Sequence, residues 1–150
     1  MFGIRNARRI TIDRPPSALK RWGTPATSPQ GRRMRVIELR RETANALSLV
    51  LEPEDGKPFA AEAGQYLTHC FEIDGRVVKR AYSLSSPQGA APCCTVKLLP
   101  DGLASGFVAS LRPGSSYPVL GPSGDFRLRH DETGPLRFLA GGSGITPIIG

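Results

Sequence analysis

Arg80-Ala81-Tyr82-Ser83-Leu84-Ser85-Ser86-Pro87 is the stretch on which the reading of this 150-residue chain depends. As a strand it sends Arg80, Tyr82 and Leu84 to one side and Ala81, Ser83 and Ser85 to the other. One surface then carries a guanidinium and a phenol ring, the groups needed to clamp a phosphate and cover a flat ring. Read alone, the same alternation also describes an exposed charge beside a half-buried aromatic. What flanks the stretch decides between the two.

Immediately upstream, Gly64-Gln65-Tyr66-Leu67 opens a strand with Leu67, His69, Phe71 and Ile73 on one side. Asp74-Gly75 is the strongest hairpin signal in the chain and returns it through Arg76 to Arg80, so the opening stretch is half of a hairpin. Further back, the residues from Met34 to Arg41 and from Leu47 to Leu51 read as two strands turned by Thr43-Ala44-Asn45. Downstream, Cys94 to Leu99 forms a fifth strand. Leu103, Phe107, Val108 and Leu111 then fall on one face of a helix, which Arg112-Pro113-Gly114 stops. Ser116 to Leu120 makes a sixth strand, ended by Gly121-Pro122-Ser123-Gly124.

The expected fold is dominated by β structure: a six-stranded antiparallel Greek-key barrel with one short helix, in which closure removes exposed strand edges. Leu136-Arg137-Phe138-Leu139-Ala140 differs from the rest. It is a compact apolar run that meets Gly141-Gly142-Ser143-Gly144-Ile145-Thr146-Pro147, as a buried parallel strand meets a nucleotide-binding turn. The expectation is therefore a basic extension over residues 1–33, a barrel over 34–130, and over 131–150 the first strand and Gly-rich turn of a truncated α/β nucleotide-binding domain.

The net charge of +7 is lopsided. Residues 1–35 hold nine basic side chains against Asp13 alone, whereas the remainder holds eleven basic and twelve acidic ones. Basicity thus belongs to a tail rich in Pro, Ser, Thr and Gly, read as a solvated extension, and nucleic acid is not the expected partner of the folded body. Three cysteines, an odd number without the spacing of an iron–sulfur or zinc site, point to inert thiols and to no metal. No apolar run is long enough to span a bilayer and no secretory segment is evident, so the expected location is cytoplasmic.

Two further segments can carry chemistry. In Pro100-Asp101-Gly102-Leu103-Ala104-Ser105 a glycine at a helix entrance lets backbone approach a ligand, and the unpaired N–H groups of the first turn with the Ser105 hydroxyl can bind pyrophosphate; ordinary N-capping is the plainer alternative. The glycines after Ala140 would let a dinucleotide's pyrophosphate rest on the backbone, with the Thr146 hydroxyl near the reacting rings. His69 and His130 stand alone in sequence and suggest no hydrolytic site.

Gly64-Gln65-Tyr66, Arg80-Ala81-Tyr82-Ser83, Gly102-Leu103-Ala104-Ser105, Gly121-Pro122-Ser123-Gly124-Asp125-Phe126 and Gly141-Gly142-Ser143-Gly144-Ile145-Thr146-Pro147, taken in this order, resemble the ferredoxin-NADP reductase-like flavoproteins over residues 34–150. The Ile-Asp-Gly hairpin leading into Tyr-Ser-Leu-Ser-Ser-Pro is most similar to bacterial reductases that serve oxygenases or desaturases. The resemblance implies FAD rather than FMN. It assigns the flavin pyrophosphate to Arg80, ring stacking to Tyr82, the N5 edge to Ser83, and the phosphates to the Gly102–Ser105 helix start with Leu103 and Ala104. Gly142, Gly144 and Thr146 would lie near the nicotinamide, with Ser83 and Thr146 flanking hydride transfer. It implies an NAD(P)H-dependent reductase that passes hydride to FAD and single electrons to an iron–sulfur or oxygenase partner, any [2Fe-2S] centre lying outside this chain. Such a piece would be inactive or weakly active alone. The alternatives are a non-catalytic barrel module with a basic tail, and a flavin reductase that releases free reduced flavin.

Overall fold

In a computed structural model of the chain, which describes residues 31–128 and 134–150, strands β1 (Arg32–Thr43) and β2 (Ala46–Pro53) form the first hairpin. Strands β3 (Tyr66–Ile73) and β4 (Arg76–Ser83) form the second. β5 (Cys93–Lys97), helix α1 (Leu103–Ser110) and β6 (Ser116–Ser123) follow, and a short 3-10 turn spans Gly142–Ile145. The extension before residue 31 and His130 lie outside the described residues, although the last two residues assigned to that extension, Arg32 and Arg33, already belong to β1.

Every strand pairing is antiparallel, and the spatial order is β4-β3-β6-β1-β2-β5. β6 inserts between β3 and β1, which is the non-sequential neighbour that a Greek key requires. The two outer strands meet at their ends: Leu84 bridges Cys94, Ser85 N–H donates to Cys93 O at 2.8 Å, and Cys94 Sγ lies 3.6 Å from Tyr82 O. The sheet is therefore curled into a half-barrel closed at one corner.

Period-two patterning fills the interior as expected. Leu47, Leu49 and Leu51 of β2 and Leu67, His69 and Phe71 of β3 point inward and are buried, with Met34, Val36, Tyr117 and Val119 completing the core. Two expectations change. Leu103 is 56% exposed and Ala104 and Ser105 are buried in its stead, while Val108 and, just past the helix, Leu111 are buried as expected. Phe107 sits half-buried beside Phe71, ring centroids 5.2 Å apart. The expected strand over Leu136–Ala140 is absent as a strand: residues 135–141 have no regular structure, and Leu139 is fully exposed. A parallel strand is buried only between neighbouring strands and crossover helices, and the described residues contain none for it. β6 also runs past its expected end at Leu120 to Ser123, because Ser123 pairs with Tyr66.

Candidate functional site

Asp74 and Gly75 both adopt left-handed backbone, with φ of 50° and 69°, the pattern of the two-residue hairpin turn that their sequence announces. This turn sets the β3–β4 register, in which Ser83 faces Tyr66, Tyr82 faces Leu67 and Arg80 faces His69. β4 is an outer strand of the sheet, so one line of its backbone groups has no ladder partner before Leu84. Counted back from the Leu84–Cys94 bridge in the same antiparallel sense, Tyr82 falls across from Val96 and Arg80 from Leu98, yet no ladder forms there. The resulting gap lies between β4 and β5, the two outer strands of the sheet.

The Arg80 side chain is exposed on this gap, and its guanidinium donates only to the neighbouring Lys79 O, at 2.7 Å. Among the described residues it has no carboxylate partner. Arg32, Arg33, Arg35, Arg40 and Arg127 do, whereas among those residues Arg41, Arg76, Arg112 and Arg137, like Arg80, do not. Tyr82 is half-buried, and burial pushes its hydroxyl above the ordinary phenol value against the opposing pull of Arg80, so the ring is neutral. Ser83 is half-buried with no hydrogen-bond partner for its hydroxyl among the described residues.

After β5, α1 begins at Gly102 without a side-chain cap, leaving the N–H groups of its first turn unpaired by the helix. The Ser105 hydroxyl is already committed: it donates to Gly102 O at 3.2 Å and accepts from Leu99 N–H at 3.1 Å. It clamps the loop, and the groups left to meet a ligand are backbone N–H groups. A Cβ on Gly102 would lie 2.2 Å from Ser105 Oγ and 3.0 Å from Leu99 Cβ. Gly102→Ala is therefore expected to break this clamp and cost about 1–3 kcal/mol in urea unfolding, the range for leaving buried polar groups unpaired; unchanged stability would mean that the clamp is dispensable.

The Gly-rich turn lies elsewhere. Gly142 takes φ of 56°, and a Cβ at Gly142 or Gly144 would meet nothing within 4 Å. Thr146 is buried, and its hydroxyl donates to Ser143 O at 2.9 Å. The segment returns to the end of the motif strand, where a Cβ on Gly150 would come within 3.2 Å of both Leu84 O and Ser86 O. A cleft of about 330 Å³ runs here between Glu62, Gln88, Phe126, Phe138 and Ile148, and neither Arg80 nor Tyr82 lines it. The structure thus places Arg80, Tyr82 and Ser83 on the outer strand β4, and Gly142, Gly144 and Thr146 in the segment that returns to Leu84 and Ser86.

Sequence reasoning passed over two neighbours. Tyr66, 37% exposed, stands directly opposite Ser83 with its ring over Gly124; counting back from Asp74-Gly75 would have found it. His69, read as an ordinary strand residue, is wholly buried next to Tyr82. The three cysteines are buried and free, burial raises the Cys70 and Cys94 thiols, and no cluster of metal-ligating side chains exists among the described residues.

An oxidoreductase FAD-binding domain model matches residues 35–128. The chain is 34% identical over 149 residues to an NADPH oxidoreductase of Mycobacterium tuberculosis, covering 95% of this chain and 39% of that protein. It is 33% identical over 116 residues to ferredoxin–NADP reductase B of Sorangium cellulosum, covering 76% and 48%. The crystal structure of a cytochrome P450 reductase from Amycolatopsis superposes with a TM-score of 0.69 at 28% identity, over 79% of this chain and 37% of that one. The chain therefore spans less than half the length of each of these proteins. With the barrel, the order of its strands and the domain match in agreement, this chain belongs to the ferredoxin-NADP reductase-like flavoproteins and carries their FAD-binding domain.

Proposed function

We propose that FAD lies along the exposed edge of β4, with Arg80 on its pyrophosphate, Tyr82 against the ring system, Ser83 at the N5 edge and the backbone of Gly102–Ser105 at the phosphates. The observation that carries this reading is the Arg80 guanidinium: it is exposed on an outer strand, without a carboxylate partner among the described residues, in a chain whose helix start is also uncapped. A fixed positive fork and unpaired N–H groups suit a pyrophosphate, and a half-buried ring with a bare hydroxyl beside it suits a flat heterocycle. The residues present thus fit the cofactor of the family.

When bound, FAD converts a two-electron hydride supply into one-electron delivery. The protein's part is to hold and orient: Arg80 neutralises phosphate charge, Tyr82 covers one ring face, and small Ser83 leaves room at the reacting edge. In the whole protein the electron source is NAD(P)H, approaching through Gly142, Gly144 and Thr146, and the acceptor is an iron–sulfur or oxygenase partner. Gly142 and Gly144 open onto free space, which supports this approach, although Thr146 must release Ser143 O to offer its hydroxyl. Residues 34–130 then serve as the flavin unit and 131–150 as the start of the nicotinamide-binding region. No described helix is long and apolar enough to cross a membrane, and we place the protein in the cytoplasm.

Titrating the chain with FAD and following visible absorption and fluorescence tests the assignment. Arg80→Ala is expected to raise the FAD Kd about 30-fold, the equivalent of about 2 kcal/mol for charge-assisted hydrogen bonds, and to narrow the preference for FAD over FMN. Tyr82→Ala is expected to raise it about tenfold. Equal affinity in both variants would remove Arg80 and Tyr82 from the site.

A further inference from the structure

His69 occupies a place that an apolar residue would fill at lower cost. Its side chain is wholly buried, and its Nε2 has no hydrogen-bond partner. An unpaired buried nitrogen opposes folding, which a leucine or phenylalanine at the same position would not do. Its Nδ1 lies 3.1 Å from the Tyr117 hydroxyl, itself within the core. Burial alone drives the imidazole down to a pKa of about 3, so it is neutral at ordinary pH.

The position explains what the cost secures. In the β3–β4 register His69 is directly opposite Arg80 and one step diagonal from Tyr82, on the same face as both. Its ring meets Tyr82 at 5.2 Å in a T-shaped arrangement, the only aromatic contact of Tyr82 among the described residues. On its other side it reaches Tyr117 and Phe71, each at 5.7 Å, and Phe71 reaches Phe107 of α1. One aromatic row therefore runs from the ring proposed to cover the flavin to the helix proposed to hold its phosphates.

We propose that His69 is a positioning residue of the flavin site: held by the Tyr117 hydroxyl, its imidazole sets the tilt of the Tyr82 ring and the spacing between that ring and α1. This inference rests on the assignment of β4 and α1 to FAD. One hydrogen bond, at Nδ1, holds the imidazole against rotation where an apolar side chain would be free to turn, which is a reason to keep a polar pair in an otherwise apolar barrel.

The test is the double variant His69→Leu/Tyr117→Phe, which removes both hydrogen-bonding partners together and leaves neither orphaned, with Tyr117→Phe alone as the milder case. In the flavin-free chain, the Tyr82 ring proton resonances are expected to shift; thermal unfolding is expected to stay at or above that of the unsubstituted chain in the double variant and to fall in Tyr117→Phe, which leaves His69 Nδ1 unpaired. With FAD added, the Kd is expected to rise about tenfold in the double variant and less in Tyr117→Phe, with an altered flavin absorption envelope in both. Unmoved Tyr82 resonances with unchanged FAD affinity in both variants would overturn the proposal. A failure of the unsubstituted chain to bind FAD would instead overturn the flavin assignment, and the Tyr82 resonances would then still report whether His69 orients that ring. If the double variant fails to fold, Tyr117→Phe alone decides by the same two readouts.

Discussion

Gly64→Ala is expected to destabilise the barrel by about 3–5 kcal/mol, enough to unfold much of the chain at moderate urea. Gly64 sits at φ of +86°, where a side chain is already strained. A Cβ there would lie 1.7 Å from Phe126 O and 2.9 Å from Phe126 C. Those are backbone atoms, so no side-chain rotation relieves the clash. The segment bearing them is tied down as well: Arg127 N–H donates to Asp125 O at 2.9 Å, and the Arg127 guanidinium bonds Glu62 at 3.0 Å. Gly64 leads into Tyr66, so the same substitution would displace the residue opposite Ser83. Gly56→Ala is the control. It has φ of +66° with nothing within 4 Å of a new Cβ, so it carries the conformational cost alone, about 1 kcal/mol. Equal losses in the two variants, measured by urea unfolding, would show that the Phe126 contact is not what demands the glycine.

Acidification is expected to weaken the fold through His69. Its folded pKa of about 3 lies below its ordinary value of 6.5, because burial penalises the charged ring. Between these values the unfolded chain binds a proton that the folded chain refuses. Stability is thus fully present well above pH 6.5 and is lost as pH falls toward 3, reaching a deficit of about 2 kcal/mol at pH 5 and about 4 kcal/mol at pH 3. Glu54 and Asp55, held below the usual carboxylate range by hydrogen bonds from Arg33 and Arg32, add to acid sensitivity only at lower pH. The comparison to make is the chain against His69→Phe, by urea unfolding at pH 7 and pH 5. The difference in stability between the two should shift by about 2 kcal/mol in favour of the variant at pH 5. A difference that does not change with pH would show that His69 is protonated without cost, and so is not buried as a neutral ring.

Much of this molecule is legible in local patterns. Asp74-Gly75 determines its own hairpin, and through it the alignment of Arg80, Tyr82 and Ser83, because turn chemistry acts over two residues and strand register follows from it. The alternation in β2 and β3 determines which side chains enter the core, since period two is a property of the single strand. The ordered motifs also carry the family, as the domain match over residues 35–128 shows. Tertiary structure decided what depends on partners distant in sequence. At the start of α1 Ala104, and not Leu103, turns inward, because the floor it meets is built by β3 and β5. The Ser105 hydroxyl is spent on Leu99 and Gly102, a commitment invisible in a motif that shows only a serine near a helix start. Leu136–Ala140 did not become a strand, because an apolar run needs neighbouring strands to pair with, and pairing is not contained in the run itself. His69, separated from Tyr117 by 48 residues, acquired its partner only when β6 inserted beside β3. Sequence alone determined the six strands, the helix and the groups they carry; the closing of the sheet determined which groups remain free to act, because hydrogen-bond partners and burial are assigned by long-range pairing.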